Sequence, residues 1–474
     1  MKRRQLVKSL GALAGAAGAA RLLEACGKGA SGAEPGKIDT LVYVMMENRS
    51  YDHVLGARAL LEGKAGDGLT ASMSNPDSSG ASVAPWQGSV PTMCVPDPPH
   101  SWSAAHAQFN GGAMDGFLTT YQQDFPGDLG AMQYAARVDM PVTWALADAY
   151  ATCDRWFSSV MGPTFPNRYY WLAGTSMGVQ SNVLPSGGFT HPTVFGRMKA
   201  AGIDFGIYYS DIPFISLMGD IDIDPANYLE TTEQFFHDAA AGELPSVSYV
   251  DPPFSNADDH PPHHPILGQQ FLASVYNALA SSPQWERSLL VITYDEHGGF
   301  FDHVPPPTSA DDYASTGFNQ LGIRVPAIIV GPYVKQGFVS SVARDHTSAL
   351  KQIENMFGTA PLSARTTAAT DLSELIDTAR LAKGDAAEPV TVPTVQPGQW
   401  VIDASCDGAS FRRPDHDVLR EFHDRFGAHS PFDRRTALAQ TMRAIAAQSN
   451  AGAVRSWSPG LRSPAGRAAP LARR

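Results

Sequence analysis

Short apolar runs recur along this chain and are separated by helix-like stretches: Thr40 to Met46, Phe205 to Tyr209, Val247 to Val250, Leu289 to Tyr294 and Val325 to Val330. Each is rich in β-branched or aromatic residues and bounded by Gly, Pro or Asp, the signature of a strand buried on both faces. Apolar spacing near 3.6 marks helices over Phe271 to Ala280 and Val142 to Tyr150, and Thr347 to Phe357 follows a plausible cap. Buried strands alternating with helices predict an α/β fold, a three-layer α/β/α sandwich around a mostly parallel sheet. In such sheets ligands collect at the carboxyl ends of strands. Two of these ends carry acids: Met46 is followed by Glu47-Asn48-Arg49-Ser50-Tyr51-Asp52-His53, and Tyr294 by Asp295-Glu296-His297-Gly298-Gly299.

At 474 residues and 43% hydrophobic content the chain can bury a large core. Its net charge of -12, with no basic stripe interleaved with aromatics, argues against a nucleic-acid partner. Residues 1–26 read as an export signal: Arg3-Arg4 before a weakly apolar Ala/Gly/Leu stretch suits a twin-arginine signal, and Leu23-Glu24-Ala25-Cys26 resembles a lipobox that would lipidate Cys26. The expected localisation is exported: periplasmic, secreted or anchored to a bacterial membrane. Cys94, Cys153 and Cys406 then allow at most one disulfide in an oxidising compartment, with the pairing open.

A Gly/Ser/Ala linker over residues 27–36 precedes a catalytic domain at 37–450, with a core to about 383 and an extension at about 384–450. Helices are expected in that extension at Pro414 to Phe426 and Arg434 to Ser449, and residues 451–474 read as a disordered tail. Long Pro/Gly/Ser/Asp-rich insertions at Gly66 to Pro99, Ser210 to Asn227 and Pro252 to Gly268 exceed simple connections and are expected to line the site.

Carboxylates launched from buried strands need a partner or a cation. Glu47 and Asn48 offer oxygen ligands suited to a hard divalent ion, and Arg49 a fork for a carboxylate or phosphate; the same residues could also form a turn or cap. Asp295 and Glu296 can both turn toward one ion because Gly298-Gly299 frees the backbone behind them. In Gly162-Pro163-Thr164-Phe165-Pro166-Asn167-Arg168 a hydroxyl stands at the start of a helix-like run, where free N–H groups lower its pKa and welcome an anion, or where it serves only as a cap.

Taken in order, these segments with His100-Ser101-Trp102, Asn110-Gly111-Gly112, Met114-Asp115-Gly116-Phe117 and Asp345-His346-Thr347-Ser348 closely resemble the bacterial phosphoesterase family of phospholipases C and acid phosphatases, within the alkaline-phosphatase-like superfamily. The resemblance spans roughly residues 37–357. It implies one divalent metal ion (Ca, Mg, Mn or Zn) held by Glu47, Asn48, Thr164, Asp295 and Glu296, with Thr164 as nucleophile. It further implies that Asn167 contacts phosphate and that His100 and His260 are active-site histidines, His260 competing with His263 and His264 for that place. His297 and His346 are candidate site residues that could orient the carboxylates; His53, His106, His191 and His303 read as structural.

The implied function is a secreted metal-dependent phosphoric-ester hydrolase, phospholipase C-like, working through a phosphothreonine on phospholipid or small phosphate-ester substrates. Membrane contact would come through the substrate or a lipidated Cys26. An acid phosphatase is the alternative, and a lipid-anchored binding protein that keeps the metal without turnover is the second. A choline headgroup would want an aromatic cage, for which Trp102, Trp171, Tyr170, Tyr208 and Tyr209 are candidates.

Overall fold

The computed structural model describes residues 36–395, apart from 90–91, 184–188, 219, 221 and 225–226. An eight-stranded sheet runs through its centre. In chain order its strands are β1 (Thr40–Met46), β2 (Ala151–Cys153), β3 (Phe205–Tyr209), β4 (Leu229–Thr231), β5 (Val247–Val250), β6 (Ser288–Tyr294), β7 (Ala327–Val330) and β8 (Val339–Ser340). They lie side by side as β8-β2-β7-β6-β1-β5-β3-β4. Every pairing is parallel except those of β7, which is antiparallel to both neighbours.

Every residue of β1 and β6 is buried, as continuous apolar runs in the middle of a parallel sheet require. Alternate side chains of β1 enter different helical layers. Tyr43 packs edge-on to Trp171 of helix Thr164–Ala173 and donates its hydroxyl to the Ala349 carbonyl in helix Thr347–Phe357. Met46 faces the other way, onto Gly268 of helix Pro265–Ala280. Helices therefore cover both faces, and the α/β/α sandwich with a mostly parallel sheet is the observed architecture.

The five sequence-predicted strands are all present, β7 beginning two residues late, at Ala327 after Pro326. Its reversed direction has a topological cause. The excursion from Asp295 leaves the carboxyl end of β6 and returns to that same edge, with Ala327 opposite Thr293, so the chain can only run back down the sheet. The short strands β2, β4 and β8 carry too few residues to show a pattern. The helix predicted from Phe271 begins earlier, at Pro265, where a proline at the first position and His264 Nδ1 accepting from the Ile266 N–H (3.1 Å) start it. The predicted insertion at Pro252 to Gly268 is shorter by that turn. The export signal, the linker up to residue 35, and the helices and tail expected beyond residue 395 lie outside the described residues.

Candidate active site

The register of β1 and β6 builds the site. Pairing runs without a break from Thr40 opposite Ser288 to Met46 opposite Tyr294, and the ladder continues past both strands: the Asp295 N–H donates to Met46 O (3.0 Å) and the Arg49 N–H to Glu296 O (3.0 Å). Glu47 and Asn48 are thereby set beside Asp295 and Glu296, all four fully buried. A third chain segment joins from the loop after β5, where Asp258 O accepts the Glu47 N–H at 2.7 Å. Asn48 adopts a left-handed φ of 58°, and its N–H donates to Asp295 Oδ1 at 2.9 Å. Gly298 fits this bend. At φ +63° it lies so close that a Cβ there would stand 2.1 Å from Asn48 O.

Asn48 Oδ1, Asp295 Oδ2 and Glu296 Oε1 are buried oxygens with no hydrogen-bond donor. Burial first, and then the neighbouring Glu47 charge, raises the pKa of Asp295; burial, with Asp295 adding to it, raises that of Glu296. Such oxygens carry a desolvation cost unless something positive meets them. The donors are all hard oxygens, and the residues fit a divalent cation.

Thr164 opens the helix Thr164–Ala173 and is buried. One turn on, Arg168 is on the same helix face. Its Nε donates to Glu47 Oε1 (3.2 Å), from which Nη2 is 3.1 Å away; Nη2 donates to Met45 O (3.1 Å), and Nε lies 3.9 Å from Asp295 Oδ2. Those contacts dock the first turn of the helix, with its threonine, against the acidic strand ends.

Asn167 braces the turn before the helix. Its Nδ2 donates to Gly162 O (2.9 Å) and Pro163 O (3.1 Å), and its Oδ1 accepts the Val160 N–H (3.0 Å). The amide thereby holds the turn that leads into Thr164. Arg49 is not a phosphate fork: fully buried, it donates Nε to Asp259 O at 2.8 Å and stacks over Phe300.

The histidines separate by geometry. His100 and His260 face each other with ring centroids 5.7 Å apart, and with Asp97 each brings a ligand or proton-transfer atom within 4.8 Å of the others. Their Nδ1 atoms sit 2.7 and 2.6 Å from the carbonyls of Pro98 and Pro261, contacts that favour a proton on Nδ1 of each ring. His100 Nε2 is 3.2 Å from Asn48 Nδ2, which ties the pair to the acidic cluster. Of the two competitors, His263 bonds Asp258 Oδ1 (2.6 Å) and His264 caps its helix.

His297 and His346 are each anchored by a short hydrogen bond. His346 Nε2 donates to Asp295 O at 2.6 Å and is pushed down to about 4 by burial. His297 Nε2 donates to Gln108 Oε1 at 2.7 Å, and burial lowers it to about 3. Its Nδ1 lies 3.3 Å from Glu296 Oε2, but a neutral imidazole with its proton on Nε2 makes no ion pair there. Gln108, Asp97 and the second role of Arg168 went unseen in the sequence, where nothing marks one helical glutamine or one loop aspartate.

His53 is held between Gln133 O and Arg49, and His303 between Asp52 and Asp67; His106 and His191 bond nearby carbonyls. The aromatic residues considered for a headgroup cage fall into separate surroundings. Trp171 packs on Tyr43 and Tyr249, Tyr170 donates to Asp311, and Tyr208 donates to Asp238; Trp102 lies beside Gly162 and packs on the apolar cluster of Val160, Tyr170 and Phe318. An open groove of about 460 Å³ lined by Thr175, His191, Asp312 and Tyr313 lies past the far end of the Thr164 helix and contains none of the acidic residues.

Cys94 is disulfide-bonded, while Cys153 is a buried free thiol. Among the described residues no helix is long and apolar enough to cross a membrane.

A hydroxyl at a helix start, an oxygen cage at two strand ends and a histidine pair define a hydrolase site of the phosphoester type. The Phosphoesterase family profile matches residues 38–360, and the chain belongs to that family. It is 33% identical over 406 residues to non-specific phospholipase C6 of Arabidopsis thaliana, covering 76% of each chain. It is 36% identical over 337 residues to non-specific phospholipase C1 of the same plant (64% of this chain, 62% of the relative), and 29% identical over 387 residues to phospholipase C B of Mycobacterium tuberculosis (68% and 73%). The chain is a hydrolase acting on phosphoester bonds.

Proposed function

We propose that this hydrolase is a metal-dependent phospholipase C that cleaves phospholipid diesters through a covalent phosphothreonine. The observation that carries the reading is that Asn48 Oδ1, Asp295 Oδ2 and Glu296 Oε1 are buried and without donors at the ends of two paired strands, where Arg168 of the helix that begins at Thr164 docks on Glu47. Glu47, Asn48, Asp295, Glu296 and Thr164 would hold one divalent ion, and their oxygen chemistry favours Ca²⁺, Mg²⁺ or Mn²⁺. When bound, such an ion lowers the pKa of a neighbouring hydroxyl and offsets charge on phosphoryl oxygens.

Thr164 Oγ1 then forms a bond to phosphorus while the bond from phosphorus to the leaving alcohol breaks. One imidazole of the His100–His260 pair takes the Thr164 hydroxyl proton as that bond forms and hands it to the departing alkoxide. In the second step water attacks the phosphothreonine and gives that imidazole a proton, which returns to Thr164 Oγ1 as the bond from phosphorus to Oγ1 breaks and the headgroup phosphate leaves. Diester preference is favoured by the names of the relatives, which are phospholipases C.

Export is part of the same proposal. The Arg3-Arg4 leader supports it, as does the disulfide at Cys94, since structural disulfides persist in oxidising compartments. Fractionation of cells making the full chain tests it, and retention in the cytoplasm would refute it.

The enzymatic test compares p-nitrophenylphosphorylcholine with p-nitrophenyl phosphate, with and without chelator. Turnover should favour the diester and fall on metal removal. Preference for the monoester would make the protein a phosphatase, and turnover indifferent to prolonged chelation would remove the metal from the mechanism.

A further inference from the structure

Arg168 is more than a partner of Glu47. Its guanidinium packs against two aromatic rings, with Phe254 4.8 Å and Phe214 5.4 Å from its centre, and its side chain is 1% exposed. The two rings belong to different loops, one following β3 and the other following β5. Two aspartates tie those loops to each other reciprocally. Asp211, after β3, accepts the N–H groups of Phe254 (Oδ1, 3.1 Å) and Ser255 (Oδ2, 2.8 Å) in the β5 loop. Asp251, after β5, accepts the N–H of Phe214 (Oδ2, 2.9 Å) in the β3 loop, and its Oδ1 stands 3.9 Å from Arg168 Nη1. Phe214 also packs against Phe165, the residue after Thr164, with centroids 5.3 Å apart.

We propose that Arg168 is a positioning residue that fixes Glu47 for cation binding, and that Asp211 and Asp251 form a clasp which holds Phe214 and Phe254 around it. The inference rests on the cation reading above. Its physical basis is that a guanidinium can hold one carboxylate oxygen and one strand carbonyl together only if its plane is fixed, and flat rings packed against it fix it. Each ring stays in place because the backbone N–H beside it is held by an acid from the neighbouring loop. Removal of such outer supports weakens metal sites by about 10- to 100-fold.

The test uses the full chain freed of metal by chelation and dialysis. Mn²⁺ affinity is read by EPR of the free ion, and hydrolysis of the choline diester at saturating Mn²⁺ gives kcat and KM separately. Arg168→Lys, which keeps the charge and loses the fork, should weaken Mn²⁺ binding by about 10-fold or more and lower kcat with KM nearly unchanged. Asp251→Ala should move both quantities in the same direction, and Asp251→Asn, which keeps an oxygen for the Phe214 N–H, should restore them to within about two-fold of wild type. Adding Asp251→Ala to Arg168→Lys should cost little more than Arg168→Lys alone, because the clasp acts through the arginine.

Circular dichroism verifies folding, and Phe254→Leu, which keeps the volume apolar while removing the ring face, serves if Asp251→Ala does not fold. Wild-type affinity in Arg168→Lys, equal effects of Asp251→Ala and Asp251→Asn, or full additivity in the double variant would overturn the proposal. If wild-type protein binds no stoichiometric Mn²⁺ or other divalent ion, the cation reading itself falls and this inference with it.

Discussion

The backbone N–H of Asn48 donates to Asp295 Oδ1 at 2.9 Å, so a residue from one strand end fixes the carboxylate of the other before any ion arrives. Asp295 Oδ2 stays without a hydrogen-bond donor, as do Asn48 Oδ1 and Glu296 Oε1. The arrangement separates residues that react from residues that aim them, and the two kinds should respond differently to substitution.

Thr164 belongs to the first kind. Thr164→Ala should lower kcat by about 10³-fold or more, as loss of a covalent nucleophile does, with circular dichroism and Mn²⁺ affinity largely retained. Thr164→Ser should keep most activity. Steady-state kinetics on the choline diester will show it, and full turnover in Thr164→Ala would remove the phosphothreonine from the mechanism.

Glu296 is buried, and burial raises its pKa, so its negative form is costly in the absence of a cation. Glu296→Gln should therefore melt at the same temperature as wild type or higher in chelator, yet gain less on addition of Mn²⁺. Calorimetry with and without the ion tests this crossing. A variant that loses stability equally in both conditions would show that Glu296 is structural only.

A second charged network gives a pH prediction of its own. His303 has Asp52 Oδ2 2.6 Å from Nδ1 and Asp67 Oδ1 3.0 Å from Nε2, with Arg324 bonded to both Asp52 and Asp302. Burial lowers its pKa, but the hydrogen bond and charge of Asp52 outweigh burial and raise it to about 9. A histidine raised in the fold contributes stability that is complete below its unfolded value, about 6.5, and is lost as pH rises through 9. Asp302, raised to about 6, completes its own titration below that window. The melting temperature should fall between pH 7 and pH 9.5 by an amount equivalent to roughly 2–3 kcal/mol, and His303→Gln should be less stable at pH 7 with a flatter profile. Identical pH profiles would dismiss the network as its source.

Gly298→Ala should be among the most damaging single-methyl changes. The residue sits at φ +63°, and the added carbon would stand 2.1 Å from Asn48 O, so backbone strain and a clash with a ligand residue coincide. Urea denaturation should show a loss of about 2–3 kcal/mol, with activity falling further than stability alone explains. Unchanged activity would mean that Asn48 can move without cost.

Much of this site was legible because its chemistry sits at the ends of long buried strands. Glu47-Asn48 and Asp295-Glu296 stand out as acids following apolar runs, and β1, β3 and β5 have the bounds their patterns suggest. What the sequence left hidden has a common physical origin. Asn167, Arg49 and His346 are polar groups whose partners are backbone carbonyls, and a carbonyl carries no residue identity in the sequence. Asp211 and Asp251 are invisible for the same reason, since both bond N–H groups from another loop. His260 could be chosen over His263 and His264 only when the fold showed which ring faces His100.

The unbroken pairing of β1 with β6, from Thr40 opposite Ser288 to Met46 opposite Tyr294, makes the active site a matter of counting. Deleting one residue from either strand would carry Glu47 past Asp295 by a full step of about 3.3 Å and turn its side chain to the opposite face. The two strands thus act as matched rulers, and their lengths are as much part of the catalytic apparatus as the acids they deliver. Lengthening the loop over residues 304–323 is a milder insult by the same logic, because nothing in the cage is measured from it.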